Sequence, residues 1–492
     1  MVGTAFRATV RTAVLGRGRG LRSIATLAGA AMLFVPAACG SDSGDSSGPT
    51  DATPVASTSR SPAAVRTTPA WGFARFTDAA AKIGVATTVP ATASAGSWRS
   101  STPQSTPGTQ RTQDGQVSVI HQATGSYRVT FPGLAVRGGR GIPLVTALDA
   151  AASTGAASAE PTAPVVSCHV VRWDAAGTAE QVDLTCRDAA GTATDSAFTA
   201  MFTYVPQPST ATPAATSATM TSATPATMST AATFTATPTT STSPSAEPVT
   251  GAGAYAYLRL DDASAPTATP ADEYSVSGPG TIEVRRAGAG HYTIDLIGPA
   301  FAKDGNNLQV NAIGDDSVGC NALGRVVGAD RQSVFVGCAR GATGTDSPFV
   351  LLYTSGHALI PQARDATSFG HAFTGVSVRG GPTQQAPIGA PVNAWGWYSA
   401  NSTGATNQVR RLAIGRYEVS FPGVARTPDL VAVTPYGEPT ARCSATDGTG
   451  TGAGTGTSTG APGGTATITV RCVNAAGQPA DSFASVAYTT AA

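Results

Sequence analysis

The sequence predicts an all-β protein made of three tandem small β-sandwich modules that are joined by disordered linkers. Three observations lead to this prediction: a Gly-x-Tyr strand pattern that occurs three times, a cysteine pair in each copy, and no convincing amphipathic helix. The 492 residues are enough for about three domains. Short strands separated by Gly- and Pro-rich turns are typical of sandwiches, and an immunoglobulin-like layout is one option for each module.

The clearest strand of each module alternates apolar and polar residues. It reads Gly125-Ser-Tyr-Arg-Val-Thr-Phe-Pro-Gly133 in the first module and returns at 290–296 and 415–423. The Tyr, the aliphatic residue and the Phe or Leu share one face, and polar residues share the other. Period two with one polar face indicates a half-buried antiparallel strand.

Each module contributes two cysteines, and we expect each pair to form a disulfide across a β-hairpin. The pairs are Cys168 with Cys186, Cys320 with Cys338, and Cys443 with Cys472. The first two pairs have a spacing of 18 residues with turn residues at the midpoint, so hinged strands would place the cysteines opposite each other. Three pairs of buried free thiols are the alternative.

The seventh cysteine, Cys39, stands behind an export-type N-terminus. Five arginines precede an apolar run at 24–35, which is too short to span a membrane. The stretch Ala-Ala-Cys39-Gly-Ser-Asp-Ser-Gly resembles a bacterial lipoprotein signal, and this resemblance implies that Cys39 is lipidated and becomes the mature N-terminus. The alternative is an ordinary secretory signal that leaves Cys39 as a free thiol.

Composition sets the boundaries between modules and linkers. Segments rich in Thr, Ser, Pro, Ala and Gly cannot bury a core, so we interpret them as tethers. The predicted order is a signal peptide (1–38), a flexible tether (39–70), module 1 (71–204), a Thr/Ser/Pro/Ala-rich linker (205–252), module 2 (253–353), a partly ordered linker (354–394) and module 3 (395–492). We expect each module to fold on its own core.

Aromatic pairs open the modules at Trp71/Phe73, Tyr255/Tyr257 and Trp395/Trp397. Because the two rings of a pair share one face of a strand, core packing is favoured over a sugar-stacking platform. Three other aromatic residues have no counterpart in the other modules, and we expect these to be the exposed contact residues: Trp98, Trp173 and Tyr398.

The motifs Gly-x-Tyr-x-Val-x-Phe-Pro-Gly and Cys-x-Asp/Asn-Ala-Ala-Gly-x-x-x-Asp-Ser together resemble an uncharacterised cystine-containing repeat of secreted bacterial proteins. The resemblance covers about two thirds of the chain. It implies export, and it implies no activity and no functional residues.

The other sequence patterns give little support for a catalytic or metal-binding site. The Asp-Ser pairs at Asp195, Asp346 and Asp481 suggest turns that begin the last strand, with a calcium site as the alternative. The segment 456–460 matches a hydrolase nucleophile elbow by letters, but it lies in a Gly/Thr loop. The five histidines are scattered, and His291 is expected on a solvated strand face.

These observations favour an exported, membrane-anchored lipoprotein with non-catalytic structural or adhesive β modules at the cell surface. The alternative is a secreted carbohydrate-binding or hydrolytic protein with its site in inter-strand loops. We expect no cofactor and no metal, and a cell-surface glycan or protein is a candidate partner. Because only 12% of residues are charged and the net charge is +1, the chain has no basic face for a nucleic acid.

Overall fold

A computed structural model describes residues 66–98, 115–149, 164–207, 253–314, 317–362, 367–377, 383–446 and 463–491. Outside them lie the signal peptide, Cys39, most of its tether, nearly all of the 205–252 linker and the 456–460 motif. The described residues form an all-β structure, as predicted, and their only helical pieces are single turns such as Ala91–Ala93 and Gly396–Tyr398. None of the helical turns in these ranges has the length and apolar character that a membrane crossing requires.

The first repeat supplies the following strands: β1 (Ala70–Phe76), β2 (Ala86–Thr88), β3 (Ser94–Gly96), β4 (Ser118–Ala123), β5 (Ser126–Phe131), β6 (Ile142–Asp149), β7 (Val166–Ala176), β8 (Ala179–Asp188) and β9 (Ala197–Tyr204). The second repeat supplies β10 (Ala254–Leu260), β11 (Thr267–Ala268), β12 (Asp272–Ser275), β13 (Ile282–Gly288), β14 (His291–Ile297), β15 (Asn306–Ala312), β16 (Val318–Val327), β17 (Arg331–Arg340), β18 (Thr343–Gly344) and β19 (Phe349–Ser355).

The third repeat supplies β20 (Thr367–Phe373), β21 (Gly375–Ser377), β22 (Thr383–Gln385), β23 (Val392–Asn393), β24 (Ala400–Asn401), β25 (Gln408–Ala413), β26 (Arg416–Ala425), β27 (Asp429–Tyr436), β28 (Arg442–Thr446), β29 (Gly464–Val473) and β30 (Phe483–Ala491). The predicted Gly-x-Tyr strands are β5, β14 and β26. Their Tyr faces are buried and the alternate positions stay partly exposed, as the period-two pattern predicts, except that Asp295 of β14 is buried.

Each repeat places its strands in an inner and an outer layer. The inner layers follow the orders β6-β9-β1-β3, β15-β19-β10-β12 and β27-β30-β20-β24. The outer layers follow β2-β4-β5-β8-β7, β11-β13-β14-β17-β16 and β23-β25-β26-β29-β28. Each repeat is therefore sandwich-like, with its Gly-x-Tyr strand in the outer layer.

The three predicted disulfides are confirmed. Each joins directly opposed residues of the hairpins β7–β8, β16–β17 and β28–β29, with Cα–Cα distances of 4.0, 4.0 and 4.1 Å. The longer spacing of the third pair, 29 residues, arises because β28 and β29 are separated by the Gly/Thr run. Every bridge lies within one repeat, so the covalent links do not join the repeats to one another.

Parallel strand contacts join the repeats in a closed ring. In each repeat, the residue two positions after the first cysteine forms a parallel β-bridge with a residue of the next repeat, and the three partner residues occupy equivalent positions. The bridges join Val170 with Ile313, Ala322 with Tyr436, and Ala445 with Leu148. The three bridges run from repeat 1 to 2, from 2 to 3, and from 3 back to 1. The ring therefore has a pseudo-threefold axis, along which the three first-cysteine strands meet.

Two of the three buried clusters lie mainly within one repeat, but the third is shared by all three repeats, which the expectation of modules with separate cores did not include. One buried cluster contains Trp71 of the first repeat, Tyr255 and Leu352 of the second, and Phe369 and Leu430 of the third. Residues from 63 to 492 form one compact unit. The inner strands bury apolar side chains on both faces: Leu351 packs with the outer layer of its own repeat, and its neighbour Leu352 belongs to the shared cluster.

The third repeat includes strands that precede residue 395, the predicted start of the third module. The strand β20 lies inside the segment 354–394 that composition marks as a linker, and it pairs along its full length with β30. Phe369 lies opposite Thr489 as Trp71 lies opposite Thr203, so Phe369 and His371 are the counterparts of Trp71 and Phe73. Trp395 instead precedes a single helical turn. The strand was missed because His371 stands where the first repeat has the ring of Phe73, while Trp395-Gly-Trp397 matches the expected aromatic pattern.

Candidate functional site

A polar concave surface lies on the pseudo-threefold axis. A narrow cavity of about 40 Å³ is lined by all three first-cysteine strands, and it adjoins a wider cavity of about 220 Å³. The two cavities share Ser167, His169 and Arg442 in their walls. We call them together the axial pocket.

The repeat places different side chains at equivalent positions of this pocket. The residues directly before the first cysteine are Ser167, Gly319 and Arg442, and the residues directly after it are His169, Asn321 and Ser444. All of these residues except Ser444 line the pocket, and each first cysteine fixes its strand to the neighbouring strand by a disulfide. The sequence repeat therefore sets the geometry of the pocket, and the departures from the repeat set its chemistry.

Arg442 is the most deeply placed charge of the pocket. Its side chain is largely buried, with the whole residue only 9% exposed. The guanidinium donates hydrogen bonds to the backbone carbonyls of Ala441 at 3.1 Å, Ala339 at 3.3 Å and Ser317 at 3.5 Å. Burial lowers the pKa of Arg442, which reflects the cost of holding its charge away from water. Among the described residues, its hydrogen-bond partners are all backbone carbonyls.

A glycine makes room for this guanidinium. A Cβ atom placed on Gly319 would lie 2.7 Å from the Cζ atom of Arg442, closer than real side chains approach. Any other residue at Gly319 would therefore displace Arg442 from the axis. Glycine at one of the three equivalent positions therefore leaves space for the large side chain at another.

The mouth of the wider cavity is formed by the loop after β8. Arg187 donates to the carbonyl of Gly191 at 2.9 Å, and the Asp188 carboxylate accepts from the Thr192 amide at 2.9 Å. Gly191 has a φ of 84°, a conformation that glycine adopts without strain. These contacts fix the loop against Ser317 of the second repeat, while Arg340 contributes to the wall from that repeat.

The recurring Asp-Ser pairs connect distant segments. Asp195, Asp346 and Asp481 each accept hydrogen bonds from the Gly amide and the Tyr hydroxyl of the Gly-x-Tyr strand of the same repeat. These aspartates therefore do more than form the predicted local turn, because each carboxylate links the start of the last strand to a hairpin of the outer layer. We call these three carboxylates the aspartate staples.

A basic side chain completes each staple. Arg286 pairs with Asp346 at 2.7 Å, and Arg411 pairs with Asp481. In the first repeat His121 takes the equivalent position, with its Nε2 atom 2.9 Å from Asp195. The calcium alternative is not favoured, because a cation already faces the carboxylate in the second and third repeats, and the described residues contain no cluster of three or more metal-binding side chains.

The staple of the second repeat should make stability depend on pH. The Arg286 hydrogen bond, with those from Gly290 and Tyr292, lowers the pKa of Asp346 to about 2. A carboxylate with a depressed pKa stabilises the fold above its unfolded pKa of about 4 and loses this effect as pH falls through the folded value. We expect Asp346→Asn to be less stable than wild type at pH 6.

The difference between Asp346→Asn and wild type should shrink between about pH 4 and pH 2, and urea unfolding at several pH values would measure it. Asp330→Asn is the matched control, because Asp330 is 67% exposed and pairs only with its neighbour Arg331. A difference that stays constant down to pH 2 would show that the staple does not depend on the carboxylate charge.

The residues that the sequence marked as exposed contacts are engaged within the body. Trp173 is only 7% exposed, and the guanidinium of Arg259 from the second repeat lies 4.7 Å from its ring centre, so its predicted surface exposure is wrong. Tyr398 is half-buried, with Arg325 at 3.9 Å from its ring centre. Trp98 is half-buried against Gly72 and Gly96. Two of these three rings therefore lie at junctions between repeats, which sequence reasoning missed.

The aromatic residues of the first two pairs are buried, whereas the histidines differ in exposure. Trp71, Phe73, Tyr255 and Tyr257 are buried, which favours core packing over a sugar platform. His291 is exposed on its strand, as predicted. His371 is buried beside the carbonyl of Gly305, and burial lowers its pKa to about 4.

A carbohydrate-processing site would need two carboxylates and an aromatic side chain in one pocket. Among the residues that the structure describes, the axial pocket has Asp188 as its one carboxylate, and a third cavity of about 170 Å³ has Glu418, which pairs with Arg410 at 2.7 Å. Neither therefore supports hydrolysis of a glycosidic bond by the usual pair of carboxylates.

Comparison with known proteins identifies no relative: no family model, no curated protein and no solved structure matches this chain. The resemblance to a secreted cystine-containing repeat therefore stays a prediction.

Proposed function

We propose that the chain is an exported lipoprotein whose body serves a non-catalytic, structural or adhesive role at the cell envelope. The closed ring of three disulfide-bonded repeats carries this proposal. In such a body each repeat has its own disulfide and pairs with both other repeats, which suits a module that must keep its shape outside the cell. Disulfides are typical of proteins in oxidising, extracytoplasmic compartments.

The proposed anchor is Cys39. It follows an apolar run and precedes about thirty small and polar residues before the first strand, β1. Such a segment can act as a flexible tether with a mean span of a few tens of Å. A lipid at Cys39 would thus hold the body close to a membrane without inserting it.

Replacing Cys39 with Ser should move the protein from the membrane fraction to the soluble fraction, because the acyl chains that hold it would have no attachment point. Fractionation followed by immunoblotting measures this change, and labelled fatty acid should be incorporated into the wild type only. Ser47→Ala, in the same predicted tether, is the matched control and should leave both results unchanged. Failure of the wild type to incorporate the label would refute the anchor.

A further inference from the structure

Glu180 is a carboxylic acid that the fold buries completely. It lies near the start of β8, and the residue is 0% exposed. Its Oε2 atom accepts a hydrogen bond from the Val136 amide at 2.9 Å, whereas its Oε1 atom is buried without a hydrogen-bond partner among the described residues. An ionised carboxylate needs more compensation than one amide donor supplies, so this environment favours the protonated, neutral acid.

The charged groups near Glu180 leave this preference in place. Burial is the main cause that raises the pKa of Glu180 to about 8, and Asp174 of β7, a like charge, raises it further. The amide hydrogen bond and the cation Arg66, which precedes β1, act in the opposite direction. The Nη1 atom of Arg66 donates to the carbonyl of Gly133 at 2.8 Å. Arg137, which follows the amide donor in the chain, is exposed.

The other two repeats have neutral side chains at the position of Glu180. Six residues before the second cysteine, the second repeat has Gln332 and the third has Ala466. Each of these three residues lies opposite an apolar residue of its own Gly-x-Tyr strand. Gln332 has nearly the size of a glutamate, is also fully buried and carries no charge at any pH. The position therefore accepts a neutral side chain of this size, and a glutamate matches it while it holds a proton.

The amide that bonds to Glu180 belongs to a segment that connects the first repeat with the second. Residues 134–141 begin with the buried side chains of Leu134 and Val136 and end with three contacts to the second repeat. These contacts are Gly139 with Arg259 at 2.6 Å, Arg140 with Asp272 at 3.0 Å, and Gly141 with Asp272 at 2.6 Å. A displacement at Glu180 would thus act on the segment that forms the junction.

We propose that the proton on Glu180 controls how tightly the first repeat binds the second. With the proton bound, the carboxyl stays buried and its hydrogen bond holds residues 134–141 against the first repeat. When the proton leaves, the charge must reach water, so the segment and its contacts with the second repeat open more often. This inference does not depend on the lipid anchor, and either can fail without the other.

The direction of the pH effect follows from proton linkage. In an opened segment Glu180 is solvated and has its ordinary pKa of about 4.5, whereas the closed body keeps the proton up to about pH 8. The closed state therefore loses stability as pH rises between these two values and loses no more above pH 8, where both states are ionised. One linked proton changes the ratio of opened to closed molecules by about tenfold per pH unit.

Hydrogen exchange followed by mass spectrometry tests the proposal on the purified full-length protein in detergent. Wild type and Glu180→Gln are compared at the same pH, so the intrinsic pH dependence of exchange cancels. Exchange of residues 134–141 in wild type, relative to the variant, should rise by up to about tenfold per pH unit between about pH 5 and pH 8 and then level off. A ratio that does not change with pH would overturn the proposal.

Glu283→Gln is the matched control for this experiment, because Glu283 is an exposed glutamate of the outer layer. At every pH this variant should exchange residues 134–141 at the wild-type rate. The same pH-dependent ratio in Glu283→Gln would assign the effect to the general loss of a negative charge and would exclude Glu180 as its source.

Infrared spectroscopy keeps the proposal testable if Glu180→Gln does not fold. At pH 6.5 exposed carboxyls are ionised, so wild type should show the carbonyl stretch of a buried protonated carboxyl and should lose intensity there above about pH 8. Glu180→Ala, which matches Ala466 of the third repeat, should have a weaker band at pH 6.5. A wild-type band that does not decrease up to pH 9, or an equal band in Glu180→Ala, would overturn the proposal.

Discussion

Replacing Asp429 with alanine should destabilise the body by about 3–5 kcal/mol, because it would leave a buried cation without its carboxylate. Asp429, in the third repeat, accepts a hydrogen bond from Arg75 of the first repeat at 2.9 Å, and each side chain is only 7% exposed. The pair thus bridges two repeats in a region closed to water. Urea unfolding would measure the loss as a lower midpoint at an unchanged slope.

Asp330→Ala provides the comparison for this prediction. Asp330 pairs with Arg331 in solvent, where such pairs contribute about 0–1 kcal/mol, so its loss should be small. Asp429→Asn keeps the size of the side chain and should be destabilised for the same electrostatic reason if the alanine variant fails to fold. A midpoint equal to that of wild type in both Asp429 variants would show that the junction is not the tight contact that the geometry indicates.

Cleavage of the chain between residues 205 and 252 should leave the body as one particle. Composition predicts that proteases cut there first. The first repeat would nevertheless stay attached, because β6 pairs with β28 and the largest buried cluster contains residues of all three repeats. The cut protein should elute with the uncut protein in size-exclusion chromatography and unfold in a single calorimetric transition.

Urea without a reductant supplies the control for the cleavage experiment. Under that condition the two fragments should separate, since every disulfide lies within one repeat. Release of a folded first repeat in native buffer would restore the view of independent modules and would contradict the closed ring.

Local patterns in the sequence predict local structure here. The hairpin disulfides follow from the cysteine spacing, and the strands β5, β14 and β26 follow from alternation, because both signals depend on neighbours in the chain. The closed ring of repeats cannot be predicted from such local patterns. Its bridges join short edge segments such as Val170 and Ile313, and nothing in their sequence specifies a partner in another repeat.

The axial pocket escaped prediction for a related reason. Its arginines occupy three different positions of the repeat, so aligning the repeats by their cysteines does not bring them together. One signal was available: Arg442 replaces the small residues Ser167 and Gly319 directly before a core-facing cysteine. A large charged residue at a position where the other copies are small is a reason to look for a site.

The bridge from the third repeat back to the first determines when the chain can finish folding. Ser444 reaches the carboxylate of Asp149 across 295 residues, so the edge of the earliest repeat is completed by one of the latest strands to be synthesised. Contacts of such long sequence separation form slowly, and an open strand edge invites pairing with other chains in the meantime. Until β28 is in place, the edge of β6 therefore stays open to pairing with another molecule.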